Sequence, residues 1–157
     1  MRGVRHTPPH RVTFYATQDQ INALLPIGFH AQRLTAFVDG TTTAADASGG
    51  AYRHALCVGL DSVLSGFRAS IVEVERDIMQ DEALPLGYIR YKLREYELLF
   101  PALHDVIKDI QARSLHGGQI LDCLDKHSQT GVPVIKACLR RCVACGARVG
   151  QAPAAGD

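Results

Sequence analysis

The chain has no tryptophan, and five phenylalanines and five tyrosines supply all its aromatic rings. So few rings leave no run of aromatic side chains interleaved with Lys and Arg, the pattern on which unpaired bases stack. An excess of charge of one sign is also missing. Lys plus Arg number 17 against 16 for Asp plus Glu, a formal net charge of +1. Such a balance creates no field that would recruit nucleic acid or an anionic membrane, so neither is an expected partner. The opening MRGVRHTPPHRVTFYA has no apolar stretch of signal-peptide type, and no later segment is expected to reach the length of a membrane span. The expected address is therefore cytoplasmic. The five cysteines are an odd count and lie mostly in helical patterns, where a reducing compartment keeps them as small buried thiols rather than a disulfide framework.

What the chain does have is helix-period apolar patterning, almost unbroken from Ala51 to Cys145, in a length suited to one domain with a real core. Leu56, Leu60, Val63, Phe67, Ile71, Val74 and Ile78 recur at spacings of four and three, with Asp61, Ser65, Arg68, Glu73 and Arg76 on the other side. The rhythm resumes at Ile89, Leu93, Tyr96, Phe100, Leu103, Ile107 and Ile110 and passes through Pro101 without losing phase. Either a helix kinks at Phe100, or a new one starts with Pro101 in its first turn. His116, Gly117 and Gly118 punctuate the chain before a short helix with Ile120, Leu121 and Leu124, which stops near Gly131. Pro133 suits the first turn of a last helix carrying Ile135, Leu139, Cys142 and Val143.

Upstream, Thr17 and Gln20 have capping-box spacing and predict a helix start. Ile21, Leu24, Leu25, Phe29, Leu34, Phe37 and Val38 are roughly helix-spaced, but Pro26 and Gly28 fall among them, which predicts a kink or two short helices. These features predict an all-α fold, an elongated helical bundle of about five to six helices with kinks at Pro26 and Pro101. Residues 1–16 are expected to be irregular, 17–145 helical with a flexible loop at 39–50, and 146–157 a disordered tail.

Candidate chemistry is sparse. Cys138, Cys142 and Cys145, with His127 as a fourth donor, have the residue types that zinc favours. They sit at helical spacing on one apolar face rather than across knuckle-like turns, so they read better as packing cysteines. Cys123 and His127 are one helical turn apart, which makes a thiolate–imidazole pair geometrically feasible, yet no orienting residue or oxyanion loop is recognisable. His116 beside Gly117 reads as a turn or capping residue. Lys136, Arg140 and Arg141 form one small basic face and Arg2, Arg5 and Arg11 another, both read as solvated surface. GLDSVLSG lacks the lysine and glycine spacing of a phosphate loop. No catalytic, cofactor-binding or metal site is expected, and contact residues for a protein partner are not assignable. The alternative reading is an independent helical module with a cysteine-based zinc or thiol function.

Several motifs nevertheless occur in a fixed order: Cys57 with Gly59 to Leu64, then Leu98 to Pro101, then His116, Gly117 and Gln119 to Leu121, then Lys126 to Ser128, then Gly131 with Pro133. Together they resemble the N-terminal domain of the gamma-tubulin complex components, over about two thirds of the chain and more weakly from Gln20 to Val38. The resemblance implies a non-enzymatic scaffold that packs side by side with other complex components and contributes to microtubule nucleation at organising centres and spindle poles. In that family a C-terminal half binds gamma-tubulin, so the resemblance implies at most indirect contact here and a chain that is a fragment or partial product. No cofactor is implied.

Overall fold

The computed structural model describes the backbone of residues 9–43, 50–81 and 83–150, and the side chains of 18–41, 50–81 and 83–145. Five helices follow one another: α1 Pro9–Thr43, α2 Gly50–Gln80, α3 Leu86–Ala112, α4 Gly118–Ser128 and α5 Pro133–Gly150. Among the described residues there is no strand, and the fold is the expected all-α bundle. α3 packs along α1, α2 along α5, and α4 closes against α5.

Helix α1 runs for 35 residues, about 50 Å at 1.5 Å per residue. It begins at Pro9, so Thr17 and Gln20 lie inside it rather than at its start, and it passes Pro26 as one helix. An interior proline costs about 3 kcal/mol and a glycine about 1. Burial of Ile27, Leu34 and Phe37, each worth roughly 1.5 to 3 kcal/mol, offsets both. The buried stripe is Leu24, Ile27, Ala31, Leu34 and Phe37. Ile21, Leu25 and Phe29, expected on that stripe, are exposed instead. Ile27, next to the proline, takes an inner position in their place.

The helix also extends into the expected connector. Asp39 to Thr43 are helical, and Thr41 Oγ1 donates to the Phe37 carbonyl at 2.9 Å. Residues 44–49, which hold most of the expected flexible loop, lie outside the described residues, as do 1–8 and 151–157. Gly146 to Gly150, expected in the tail, continue α5.

Helix α3 likewise passes its proline, Pro101, without interruption. Pro26 and Pro101 line one cleft of about 210 Å³ with Ile27, His30, Tyr96 and Glu97. Each proline lacks the N–H that would bond the carbonyl one turn back. The two interrupted turns thus meet at one level of the α1–α3 seam.

At the centre, Phe100 is fully enclosed, and its ring meets Phe67 of α2 at 5.0 Å and Tyr96 at 5.1 Å. Tyr96 keeps its hydroxyl within 3.2 Å of Ser70 Oγ, so the aromatic cluster buries no orphaned polar tip. Where α2 hands over to α3, Tyr88 Oη donates to Asp77 Oδ2 at 2.7 Å, and Lys92 Nζ lies 3.6 Å from the same carboxylate. The Ala83 N–H donates to Asp81 Oδ1 at 3.0 Å and sets the turn between them.

Composition alone gives α2 a second reading that the sequence expectation missed. It is 31 residues long, with an 18-residue window of mean hydropathy 1.5, enough by length and apolarity to cross a membrane. In the bundle it contributes Ala55, Leu56, Cys57, Leu60, Leu64 and Val74 to the core, and Asp61 and Arg68 pair at 3.6 Å on its exposed side. It packs against the four other helices, yet only 28% of that apolar window is buried, and Val58, Val72, Ile78 and Met79 stay exposed.

The turn from α3 to α4 needs positive φ at Ser114 (49°) and Gly117 (57°). The Leu115 N–H donates back to the Ile110 carbonyl at 3.0 Å, and the His116 N–H donates to Gln119 Oε1 at 3.3 Å. His116 is thus a turn residue, its side chain exposed.

Helices α2 and α5 meet at Gly59, where an added Cβ would lie 2.8 Å from Cys142 Sγ and 3.5 Å from its Cβ. Gly59→Ala adds helix propensity but overfills this contact, so a net loss of about 1–3 kcal/mol is expected in urea unfolding. Cys142→Ala in the same chain should restore part of the loss, because only the sulfur is in conflict. An unchanged midpoint in Gly59→Ala would mean that the two helices separate without penalty.

Candidate functional site

Three polar clusters sit on this frame. The first joins α3 to α4. Asp109 lies near the end of α3, and Cys123 and His127 are one turn apart on α4. The donor atoms of all three lie within 4.8 Å of one another. His127 Nε2 is 3.0 Å from Asp109 Oδ2, and Arg113 Nη2 is 3.3 Å from the same oxygen. The hydrogen bond from His127 holds the Asp109 carboxyl below the usual carboxylate range, against a smaller opposing effect of burial. Burial first, then the Asp109 charge, push the Cys123 thiol up.

An orienting carboxylate for His127 therefore exists, contrary to the sequence reading. Asp109 is eighteen residues from His127 and on another helix, so no local spacing could have revealed it. Thiol, imidazole and carboxylate together are the parts of a nucleophilic triad, yet activation requires a lowered thiol pKa. Cys123 is shifted the other way.

The second cluster is thiol-rich. Cys138 and Cys142 are buried one turn apart on the face of α5 that meets α2. Pairing with Cys138, reinforced by burial, pushes the Cys142 thiol far above the normal range, while the same pairing holds Cys138 below it. Cys145 is less enclosed and borders a cleft of about 230 Å³ with Val58, Gly59, Ser62 and Arg141. His127 turns away to Asp109, so the structure does not assemble the four donors Cys138, Cys142, Cys145 and His127 at one point. Cys57 is buried and its thiol is raised by that burial.

The third cluster bridges α1 and α3. His30 Nδ1 and His104 Nδ1 are 3.1 Å apart, and Phe29 meets both rings edge-on, at 5.4 and 6.1 Å. One ring donates and the other accepts, so a proton on the accepting nitrogen breaks the contact. Burial, and then the neighbouring His30, hold His104 below the usual histidine range.

The remaining candidates do not converge. Arg140 and Arg141 are exposed on α5 and Lys136 is partly covered. Arg2 and Arg5 lie outside the described residues, as does the side chain of Arg11. GLDSVLSG runs through the middle of α2, where its amides bond within the helix and none is free for phosphate. The described clefts measure about 200–230 Å³, below the 300–1,000 Å³ usual for small-molecule sites.

An all-helical packing module, whose polar clusters brace one helix against the next, is the class of protein this fold defines. The profile described as gamma tubulin complex component N-terminal matches residues 6–149, and the chain belongs to that family. Among curated proteins it is 36% identical over 95 residues to gamma-tubulin complex component 4 of Mus musculus, covering 60% of this chain and 14% of that protein. The Homo sapiens protein of the same name gives the same identity and coverage. The Arabidopsis thaliana one is 32% identical over 90 residues, 57% of this chain and 12% of its own length. The chain thus spans about a seventh of the length of the relatives it matches.

The histidine seam makes the α1–α3 contact sensitive to acid. Because His104 is depressed in the folded state, the unfolded chain takes up its proton first. Stability is complete above the unfolded value of about 6.5 and is lost as pH falls through the folded value. Thermal unfolding should therefore show a falling midpoint from pH 7 to pH 5, and a flatter profile in His104→Gln. Parallel profiles would remove His104 as the source of that slope.

Proposed function

We propose that this chain is a non-enzymatic scaffold element of the gamma-tubulin complex, contributing to microtubule nucleation at organising centres and spindle poles through side-by-side contacts with other complex components. The observation that carries the reading is the family match over residues 6–149. Its motif residues occupy structural positions: Gly59 at the α2–α5 contact, Phe100 at the centre, Gly117 at the positive-φ turn and Pro133 at the head of α5. Nucleation by a scaffold is geometric, because pre-positioned subunits avoid the entropy of spontaneous assembly. Rigid spacing and complementary surfaces are what such an element supplies.

Two features of the bundle suit that role. The Cys123 thiol is not activated, and the described clefts are small, so enzymatic chemistry has little to work with. Helix α1 also presents Ile21, Leu25 and Phe29 on one outer face, exposed by 39%, 64% and 48%. Apolar residues aligned at a spacing of four and left uncovered form a surface for another protein. We assign it to a neighbouring complex component. Contact with gamma-tubulin then runs through such neighbours, and the place of action is the cytoplasm and its microtubule-organising centres.

A tagged chain should co-purify with gamma-tubulin complex components, and the pair Ile21→Asp and Leu25→Asp should reduce that recovery several-fold while leaving helicity and melting intact. Absence of every such component from the wild-type pull-down would reject the scaffold reading. Recovery unaffected by the pair would reject the outer face of α1 as the contact.

A further inference from the structure

We propose that Asp109, Cys123 and His127 form a zinc site that clamps α3 to α4, with water in the fourth position. The donor atoms already lie within 4.8 Å of one another. Around tetrahedral zinc, bonds of 2.0–2.3 Å put ligand atoms about 3.3–3.8 Å apart. Closing the gap takes side-chain adjustment of up to about 1.5 Å. Cys123 and His127 are spaced i, i+4 on one helix, the arrangement by which a helix offers two ligands to one ion.

The donor set selects the metal. Thiolate and imidazole suit zinc and are poor ligands for magnesium or calcium, which want an all-oxygen shell. Thiolate and carboxylate together cancel the charge of a divalent ion, so a partly buried complex carries no net charge. The hydrogen bond of 3.0 Å between His127 Nε2 and Asp109 Oδ2 shows that imidazole and carboxylate already face one point. On binding, the neutral imidazole carries its proton on Nδ1 so that Nε2 is free for the ion, and the Cys123 thiol gives its proton to solvent. His127 also lines a cleft of about 210 Å³ with Asp105 and Thr130. The competing cation is Arg113, paired with Asp109 at 3.3 Å but itself more than half exposed. Surface pairs of this kind are worth at most about 1 kcal/mol, so Arg113 yields its place at little cost.

This site is independent of the scaffold reading and differs from the Cys138–Cys142–Cys145 grouping. The test uses the full chain, stripped of metal under reducing conditions and titrated with Co²⁺ and then Zn²⁺. One equivalent of Co²⁺ should raise a thiolate-to-cobalt charge-transfer band in the near ultraviolet, which Zn²⁺ displaces. Cys123→Ser should abolish the band, and Asp109→Asn and His127→Gln should each weaken zinc at least about tenfold. Cys138→Ser and Cys145→Ser should leave the band unchanged. Affinity should fall about tenfold for each unit of pH below neutral, since one thiol proton is released. A titration without the band, or a band that survives Cys123→Ser or depends on Cys145, would overturn the proposal. Asp109→Asn guards against a folding artefact, because its replacement keeps the shape of the side chain and can still accept from His127.

Discussion

Enclosure of Phe100 is the constraint on which the rest of the bundle depends. The ring has no exposed surface and is edged by Phe67 from α2 and Tyr96 from its own helix. Two flanking features follow from that placement. The next residue is Pro101, so α3 gives up a hydrogen bond beside its most buried side chain. Phe100 burial and the aromatic edges offset a local cost of about 3 kcal/mol. The same turn meets Pro26 of α1, and the seam between α1 and α3 therefore tolerates two missing N–H groups at one level. Tertiary packing, and not helix propensity, decides where these helices run.

The polar clusters are secondary to that core and share one design. Asp77 with Tyr88 and Lys92, His30 with His104, and Asp109 with His127 each link two different helices at a partly exposed position. Partial exposure keeps desolvation low, and hydrogen bonding gives direction that apolar contact lacks. Each cluster fixes how one helix lies against the next, whereas the core fixes only that they touch. Of these clusters, only the one at Asp109 brings donor types together in a way that suits a metal.

Much of the fold was legible because the three later helices and α2 obey a single period. Leu56, Leu60, Leu93, Phe100, Leu103, Ile107, Ile110, Ile120, Leu124 and Leu139 were all expected inside and are all buried. Helix α1 was harder, since Pro26 and Gly28 argue locally for a break that the burial of Ile27, Leu34 and Phe37 overrides. The outer position of Ile21, Leu25 and Phe29 was illegible for the same reason: a stripe read across a supposed break has no fixed phase. Polar pairings fared worst. His127 was weighed against Cys123, its neighbour by spacing, and against the cysteines of α5. Its actual partner Asp109 belongs to a helix whose rotation depends on Phe100 and its surroundings.

That dependence extends to the spacing of the outer helices. The approach of α5 to α2 is set by the missing Cβ of Gly59 against Cys142 Sγ. Cys142 Sγ occupies the space that a Cβ at Gly59 would need, and because Leu139 and Cys142 are buried α5 gains nothing by moving away. The same two-sided restraint acts at Phe100. A bundle held in this way presents the outer face of α1 at a fixed distance from α5. For an element whose proposed work is to hold neighbours in register, that distance is the functional quantity. The buried thiols contribute to it through their size: Cys138 and Cys142 are small enough to let two helices meet, and both are enclosed between them.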